Sequence, residues 1–153
     1  MIDSDNVLLL RTVGMRSGFP APAAARPPAG HSAPPPSLVT ATHCYRDRPF
    51  DQAFTAFFTS QVRPVMSQTG AAPIACLQTE RAESTFPALP VRTGENVFMW
   101  FSRFADSAGL IAHRDALAHC RHWHTTVRPA LLAMLTGEPQ QLTLTLTPRS
   151  LLR

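Results

Sequence analysis

The chain predicts an α+β fold, one antiparallel sheet backed by helices, and three observations predict it. Apolar periodicities run in the order strand, helix, strand, strand, helix, strand, which is the ferredoxin-like βαββαβ arrangement. The segment Glu95–Phe104 is apolar on both sides, with Val97, Met99 and Phe101 on one and Phe98, Trp100 and Phe104 on the other. Alternate side chains of a strand point to opposite faces of its sheet, so neither face of this one tolerates water. Finally, residues 14–36 are rich in Pro, Ala and Gly and carry no apolar period, which sets the periodic remainder apart as the folded unit. Helices on one side cover one face of the sheet. The other is then expected to lie open in a single chain and to be sealed by a second copy, as in dimeric α+β barrels.

The elements follow in order. Val7–Leu10 is a short apolar run read as a strand, within a first zone of residues 1–13. Residues 14–36, with Pro27-Pro28 and Pro34-Pro35-Pro36, read as an extended, polyproline-like linker that forms no packed element. Residues 37–153 are the ferredoxin-like domain. Leu38–Tyr45 alternates as a strand, placing Val39, Ala41, His43 and Tyr45 on one side. A helix follows, because Pro49 suits a first turn, Asp51 the positive end of the dipole, and Phe50, Phe54, Phe57, Phe58 and Val65 recur at helical spacing. Gly70 ends it. Ala72–Thr79 is a strand, residues 80–93 a connection holding Pro87 and Pro90, and Glu95–Phe104 the central strand. Asp106 caps a helix using Leu110, Ile111 and Leu117. Val127–Leu135 is a further helical stretch, with Pro129 near its start and Gly137 past its end. Leu142–Leu146 closes the order as a strand alternating Leu with Thr.

Composition excludes several function classes. The net charge is +4 over 153 residues, but every basic side chain is an arginine and these are scattered from Arg11 to Arg153. A phosphate-binding surface needs them focused, so nucleic acid is not an expected partner. Cys44, Cys76 and Cys120 are odd in number and far apart, which argues against a disulfide framework and for a reducing, cytoplasmic compartment. No apolar run approaches the ~20 residues of a membrane helix, so no membrane partner is expected, and the acidic start Met1–Asn6 lacks the basic onset of a signal peptide.

No constellation of catalytic residues emerges. His113, His119, Cys120, His122 and His124 are dense, but on a helix they radiate rather than converge, and zinc wants three or four convergent ligands. They read as a polar, partly exposed helix end, and no metal site is assigned. Glu80 and Glu83 do not form a marked pair, and neither a Gly-x-Ser-x-Gly elbow nor a Gly-rich phosphate loop is present. No cofactor is implied. His43, Tyr45 and Arg103 are the ligand-lining candidates, because an arginine fork beside an imidazole and a phenol suits an anionic or carbonyl-bearing small molecule. Val97, Met99, Trp100 and Phe101 are the candidates for the sheet core or for the interface of a homodimer or larger homo-oligomer, and Trp100, a large aromatic in a buried strand, reads as core.

Several blocks carry a resemblance. Thr85–Arg92 with Glu95–Phe104, then Arg121-His122-Trp123, Val127–Leu131 and Leu146–Leu152, in this order, resemble the second half of NIPSNAP family proteins. The resemblance covers residue 37 to the C-terminus. It implies a dimeric α+β barrel related in fold to antibiotic biosynthesis monooxygenases, hence a self-associating module or, as the rival reading, a cofactor-independent monooxygenase-like enzyme using the barrel cavity. Family members often carry two ferredoxin-like repeats, and Met1–Arg11 is similar to the last strand of the first. On that resemblance the chain is expected to start inside the family pattern, with a first repeat missing.

Overall fold

A computed structural model describes residues 7–22, 25–83, 85 and 91–152. Strand β1 is Leu10–Thr12, β2 Leu38–Arg46, β3 Pro73–Thr79, β4 Asn96–Phe104 and β5 Gln140–Thr145. They form one sheet in the order β1-β3-β4-β2-β5, with every neighbouring pair antiparallel. The last four strands have the ferredoxin-like order, and β1 is added beside β3. Of the blocks that carried the resemblance, residues 86–90 lie outside the described residues, as do residues 1–6.

Between β2 and β3 the chain runs through α1 (Gln52–Phe57), a wide turn over Phe58–Val62 and α2 (Arg63–Gln68). Asp51 caps α1, its Oδ1 accepting from Phe54 N at 2.8 Å, and its other oxygen accepts from the buried guanidinium of Arg46 at 3.2 Å. These bonds hold the Asp51 carboxyl below its ordinary pKa, the Phe54 amide contributing most. Gly70 ends α2 with φ +88°, a left-handed conformation a side chain strains to adopt, while Ala71 N donates to Met66 O at 2.7 Å.

After β4, Asp106 Oδ1 accepts from Gly109 N at 2.8 Å and starts α3 (Ser107–His119). A second wide turn, Trp123–Val127, leads into α4 (Arg128–Leu132). The two wide turns share a cause. Each precedes an Arg-Pro pair, Arg63-Pro64 or Arg128-Pro129, and proline neither donates an amide bond nor tolerates the carbonyl four residues back. The amide before each proline bonds five residues back instead, Arg63 to Phe58 O and Arg128 to Trp123 O. The helix expected over Val127–Leu135 therefore starts earlier, through Trp123, and its regular part stops at Leu132.

The helix-side core is aromatic. Phe98 lies within 5.6 Å, ring centre to ring centre, of Phe50, Phe54 and Phe58, and Phe58 also meets Trp100 at 5.3 Å. Val62, Val65, Met66, Val127 and Leu131 complete the same cluster with Cys44 and Cys76. Burial pushes the Cys44 thiol up to about 12 and that of Cys76 to about 11, so both are held as unreactive thiols.

Trp100 lies in the helix-side core, as a large aromatic of a buried strand is expected to. One expectation about the sheet is corrected: the second face is not open throughout, since Val97, Val39, Ala41 and Met99 are 0, 1, 2 and 7% exposed in the single chain. Among the described residues of 14–36, expected as an extended linker, no helix or strand forms, but several touch the folded domain. The Phe19 ring sits 4.8 Å from Phe101, and Arg149 Nε donates to Pro27 O at 3.1 Å. Phe19 thus gives this face part of its cover, because a segment too poor in hydrogen-bonding pattern to form an element still has apolar surface to bury.

Candidate functional site

The predicted ligand-lining residues share the second face without converging. His43 pairs with Met99 and Arg103 with Val39, which puts the two positions four residues, about 13 Å, apart along the strands. Tyr45 lies further still in the same direction. Arg103 borders a cleft of about 480 Å³ with Pro20, Pro22, Ile74 and Leu151, away from the other two. His43 is half-buried, and its pKa is lowered by that burial against a hydrogen bond to the Gln140 backbone. The three residues do not form one site.

The side chains that do converge lie on the opposite face. Between sheet and helices is a cavity of about 290 Å³. Its floor consists of two cross-strand rows. Ser102 of β4 stands opposite Thr40 of β2, and Trp100 opposite Thr42, which in turn faces Gln141 of β5. Gln141 Nε2 donates to Thr42 Oγ1 at 3.3 Å. Ser102 is buried, and its hydroxyl donates to Ala71 O at 2.7 Å, locking the loop after α2 onto the sheet. The roof is His113 and Leu117 of α3, Trp123 of the second wide turn, and Arg128, Leu131 and Leu132 of α4. Arg128 is ion-paired to Glu138 at 2.6 Å, both partly exposed, at the side of the cavity.

His113 is the residue with the most defined chemistry. It is 5% exposed, in contrast to the exposed helix end expected for the histidine group. Its Nδ1 lies 3.1 Å from Thr69 O and 3.0 Å from Thr69 Oγ1. The Thr69 hydroxyl already donates to Val65 O at 2.9 Å, and a carbonyl only accepts, so Nδ1 carries the proton. Nε2 therefore keeps its lone pair. Burial lowers the His113 pKa, with the Thr69 bond working against it and Arg114 adding to it, so the ring is neutral at pH 7. Among the described residues, Thr40 Oγ1, Trp100 Nε1 and His113 Nε2 have no protein hydrogen-bond partner and are not sealed from solvent. All three belong to residues that line the cavity. His119, His122 and His124 stay exposed; no group of three or more metal-ligating side chains occurs among the described residues.

Sequence analysis named Trp100, His113, Leu117 and Trp123 in other roles, but did not join them, or Thr40, Thr42 and Ser102, into one site. A signal existed in β2, whose covered side reads Leu38, Thr40, Thr42, Cys44. Two hydroxyls facing helices, where Leu or Val would pack better, mark a space not meant to be filled. The signal from His113 was masked by its neighbours, because helical phase alone did not separate it from His119 and His122.

Together the sheet order, the two helical crossovers on one face and the cavity beneath them define a ferredoxin-like α+β protein with a pocket between its layers. Two solved structures share this architecture. One is a NIPSNAP-like domain protein from Burkholderia xenovorans, described as uncharacterised, 17% identical, covering 72% of this chain and 84% of its own with a TM-score of 0.52. The other is a NIPSNAP family protein from Agrobacterium tumefaciens, 18% identical, covering 76% of this chain and 91% of its own with a TM-score of 0.53. No protein-family model and no curated protein matches the chain. At this identity the likeness is one of fold, and the chain has a NIPSNAP-like fold. No helix among the described residues is long and apolar enough to cross a membrane.

Proposed function

We propose that this NIPSNAP-like chain is a small-molecule-binding module whose site is the cavity between sheet and helices. The observation that carries the reading is the set of free polar groups on Thr40, Trp100 and His113 in a pocket whose apolar walls are Met66, Leu117, Trp123, Leu131 and Leu132. Pockets that bind small molecules combine apolar walls with a few placed polar groups. The indoles of Trp100 and Trp123 suit a flat ring. The lone pair on His113 Nε2 suits a hydroxyl donor, and Arg128 and Glu138, the charged pair beside the cavity among the described residues, satisfy each other. The ligand is thus a compact, uncharged ring compound bearing a hydroxyl. The unpaired thiols are in keeping with a reducing cytoplasm. Self-association through the second face is part of this reading, and Leu142 and Leu144, exposed there beside Ala41 and Val39, support it.

The chain has two tryptophans, and both line the cavity, so intrinsic fluorescence reports its occupancy directly. Titration with 4-ethylphenol is expected to shift the emission, whereas ethylbenzene, lacking the hydroxyl, binds about tenfold more weakly, the equivalent of one net hydrogen bond. Asparagine at position 113 keeps a donor for Thr69 O but removes the acceptor, so His113→Asn is expected to bring the two affinities together. Affinity for the phenol holds at neutral pH and falls as acid protonates Nε2. No change in emission with either compound up to millimolar concentration sinks the reading.

The same lowered pKa has a consequence for stability. An unfolded histidine titrates near 6.5, above the folded value for His113 and His43. Below that pH the unfolded chain binds more protons. The melting temperature is therefore expected to hold above about pH 6.5 and to fall as the pH drops below it. His113→Asn should flatten the slope; a slope unchanged in that variant assigns it to other groups.

A further inference from the structure

Residues 13–17 form a loop pinned to β3 at both ends. Val13 N donates to Cys76 O at 3.2 Å and Cys76 N to Ser17 O at 2.7 Å, so a single residue of β3 holds both. The loop also closes on itself, the Ser17 hydroxyl accepting from Gly14 N at 2.7 Å and donating to Gly14 O at 2.9 Å. Met15 and Arg16, between these anchors, are exposed. Across a cleft of about 250 Å³ stand Thr55 of α1, Thr59 of the first wide turn and Arg63 at the start of α2. Residues four apart in a helical run share a side. The floor between loop and helices is apolar, formed by Phe58, Phe98 and Cys76.

Arg16 and Arg63 are the charged side chains of this cleft among the described residues, and neither has an ion-pair partner among them. The Arg63 charge acts on the floor itself, drawing the Cys76 thiol down against the larger rise from burial. Thr55 donates its hydroxyl proton to Asp51 O at 3.2 Å, whereas the Thr59 hydroxyl has no bond among the described residues. Two like charges lining one cleft repel each other, and the field they focus attracts an anion.

We propose that this cleft binds a small-molecule phosphate monoester, its phosphate held between Arg16 and Arg63 and its ester group on the apolar floor. Two guanidinium forks match a dianion with three terminal oxygens, and a further contact falls to the Thr59 hydroxyl. A carboxylate offers one charge and two oxygens, which a single fork satisfies. The ester group is apolar because what remains to contact it is Phe58, Phe98 and the fully exposed Met15, whose flexible side chain adapts to a ring or a short alkyl chain. The hydrogen bonds of the loop fix the Arg16 backbone in advance, so less ordering accompanies binding. The cleft shares no lining residue with the cavity between sheet and helices, and neither site depends on the other.

Calorimetric titration of the full chain with phenyl phosphate at low ionic strength tests it. One site of submillimolar Kd is expected. Arg16→Gln and Arg63→Gln, both at exposed positions, are each expected to weaken binding about tenfold or more, the scale of one lost charge-assisted bond. Arg121→Gln removes an exposed charge elsewhere and is expected to leave the affinity unchanged. Benzoate lacks the second charge and inorganic phosphate lacks the ring, so each is expected to bind about tenfold more weakly. Saturating 4-ethylphenol is expected not to displace phenyl phosphate, since the two occupy different sites. No binding up to millimolar concentration, parental affinity in either cleft variant, an equal loss in Arg121→Gln or displacement by 4-ethylphenol overturns the site. Benzoate or inorganic phosphate binding as tightly as phenyl phosphate overturns the ligand class.

Discussion

Phe98→Ala should lower stability by about 3–5 kcal/mol, the usual cost of emptying a large aromatic position in a core. Phe98 is fully buried, and three phenylalanine rings surround it, from the loop before α1, from α1 itself and from the wide turn after it. Those rings belong to a rigid frame. Phe54 is fixed by the Asp51 cap and Phe58 by the wide turn, so neither has freedom to collapse into the space. Each aromatic pair is worth roughly 0.5–1.5 kcal/mol beyond its buried area. For a domain of this length 1 kcal/mol moves the melting temperature by about 2–4 °C, so a fall of roughly 6–20 °C is expected by calorimetry. Phe98→Leu, which keeps most of the volume, is expected to cost far less. Equal losses for the two variants would mean that the contacts around this ring do not support the sheet.

Ser102→Ala is expected to cost about 1–3 kcal/mol, although it removes a single oxygen atom. The Ser102 hydroxyl is the side-chain donor to Ala71 O, a buried carbonyl at the turn where α2 hands over to β3. Without it that buried carbonyl loses its side-chain donor. The damage should be local. Hydrogen exchange is expected to speed up at Gly70 to Ala75 before it changes at Cys44 or Phe98, and ligand affinity should weaken because Ala71 and Ser102 both border the cavity. A variant as stable as the parent, with exchange unaltered at Ala71, would show that this bond contributes nothing net.

The element order was legible because it rests on local periodicity. β4 declared itself through apolar side chains on both faces, and Asp51, Gly70 and Asp106 marked helix ends by chemistry that acts within four or five residues. Even the division of β4 into Phe98, Trp100, Phe104 against Val97, Met99, Phe101 followed from the two-residue repeat of a strand. The wide turns were less legible. Their cause, an Arg-Pro pair, stands in the chain twice, but the hydrogen bond it displaces is visible only once the helix is built. The cavity was least legible of all. Its floor comes from β2, β4 and β5, and its roof from helices more than 60 residues beyond Thr40, so no local pattern joins Thr40, Ser102 and His113.

Sequence by itself determined that this chain builds a ferredoxin-like sheet with helices on one side and that its central strand demands cover on both. The tertiary structure alone decided what provides the second cover. An apolar face sets how much surface must leave water but is indifferent to which nonpolar partner removes it, so only the path of the chain shows that Phe19 packs on Phe101 there. The cavity arises in the same way: whether a buried threonine or histidine is packed tight or left facing a space depends on the gap between two layers, which no single segment specifies.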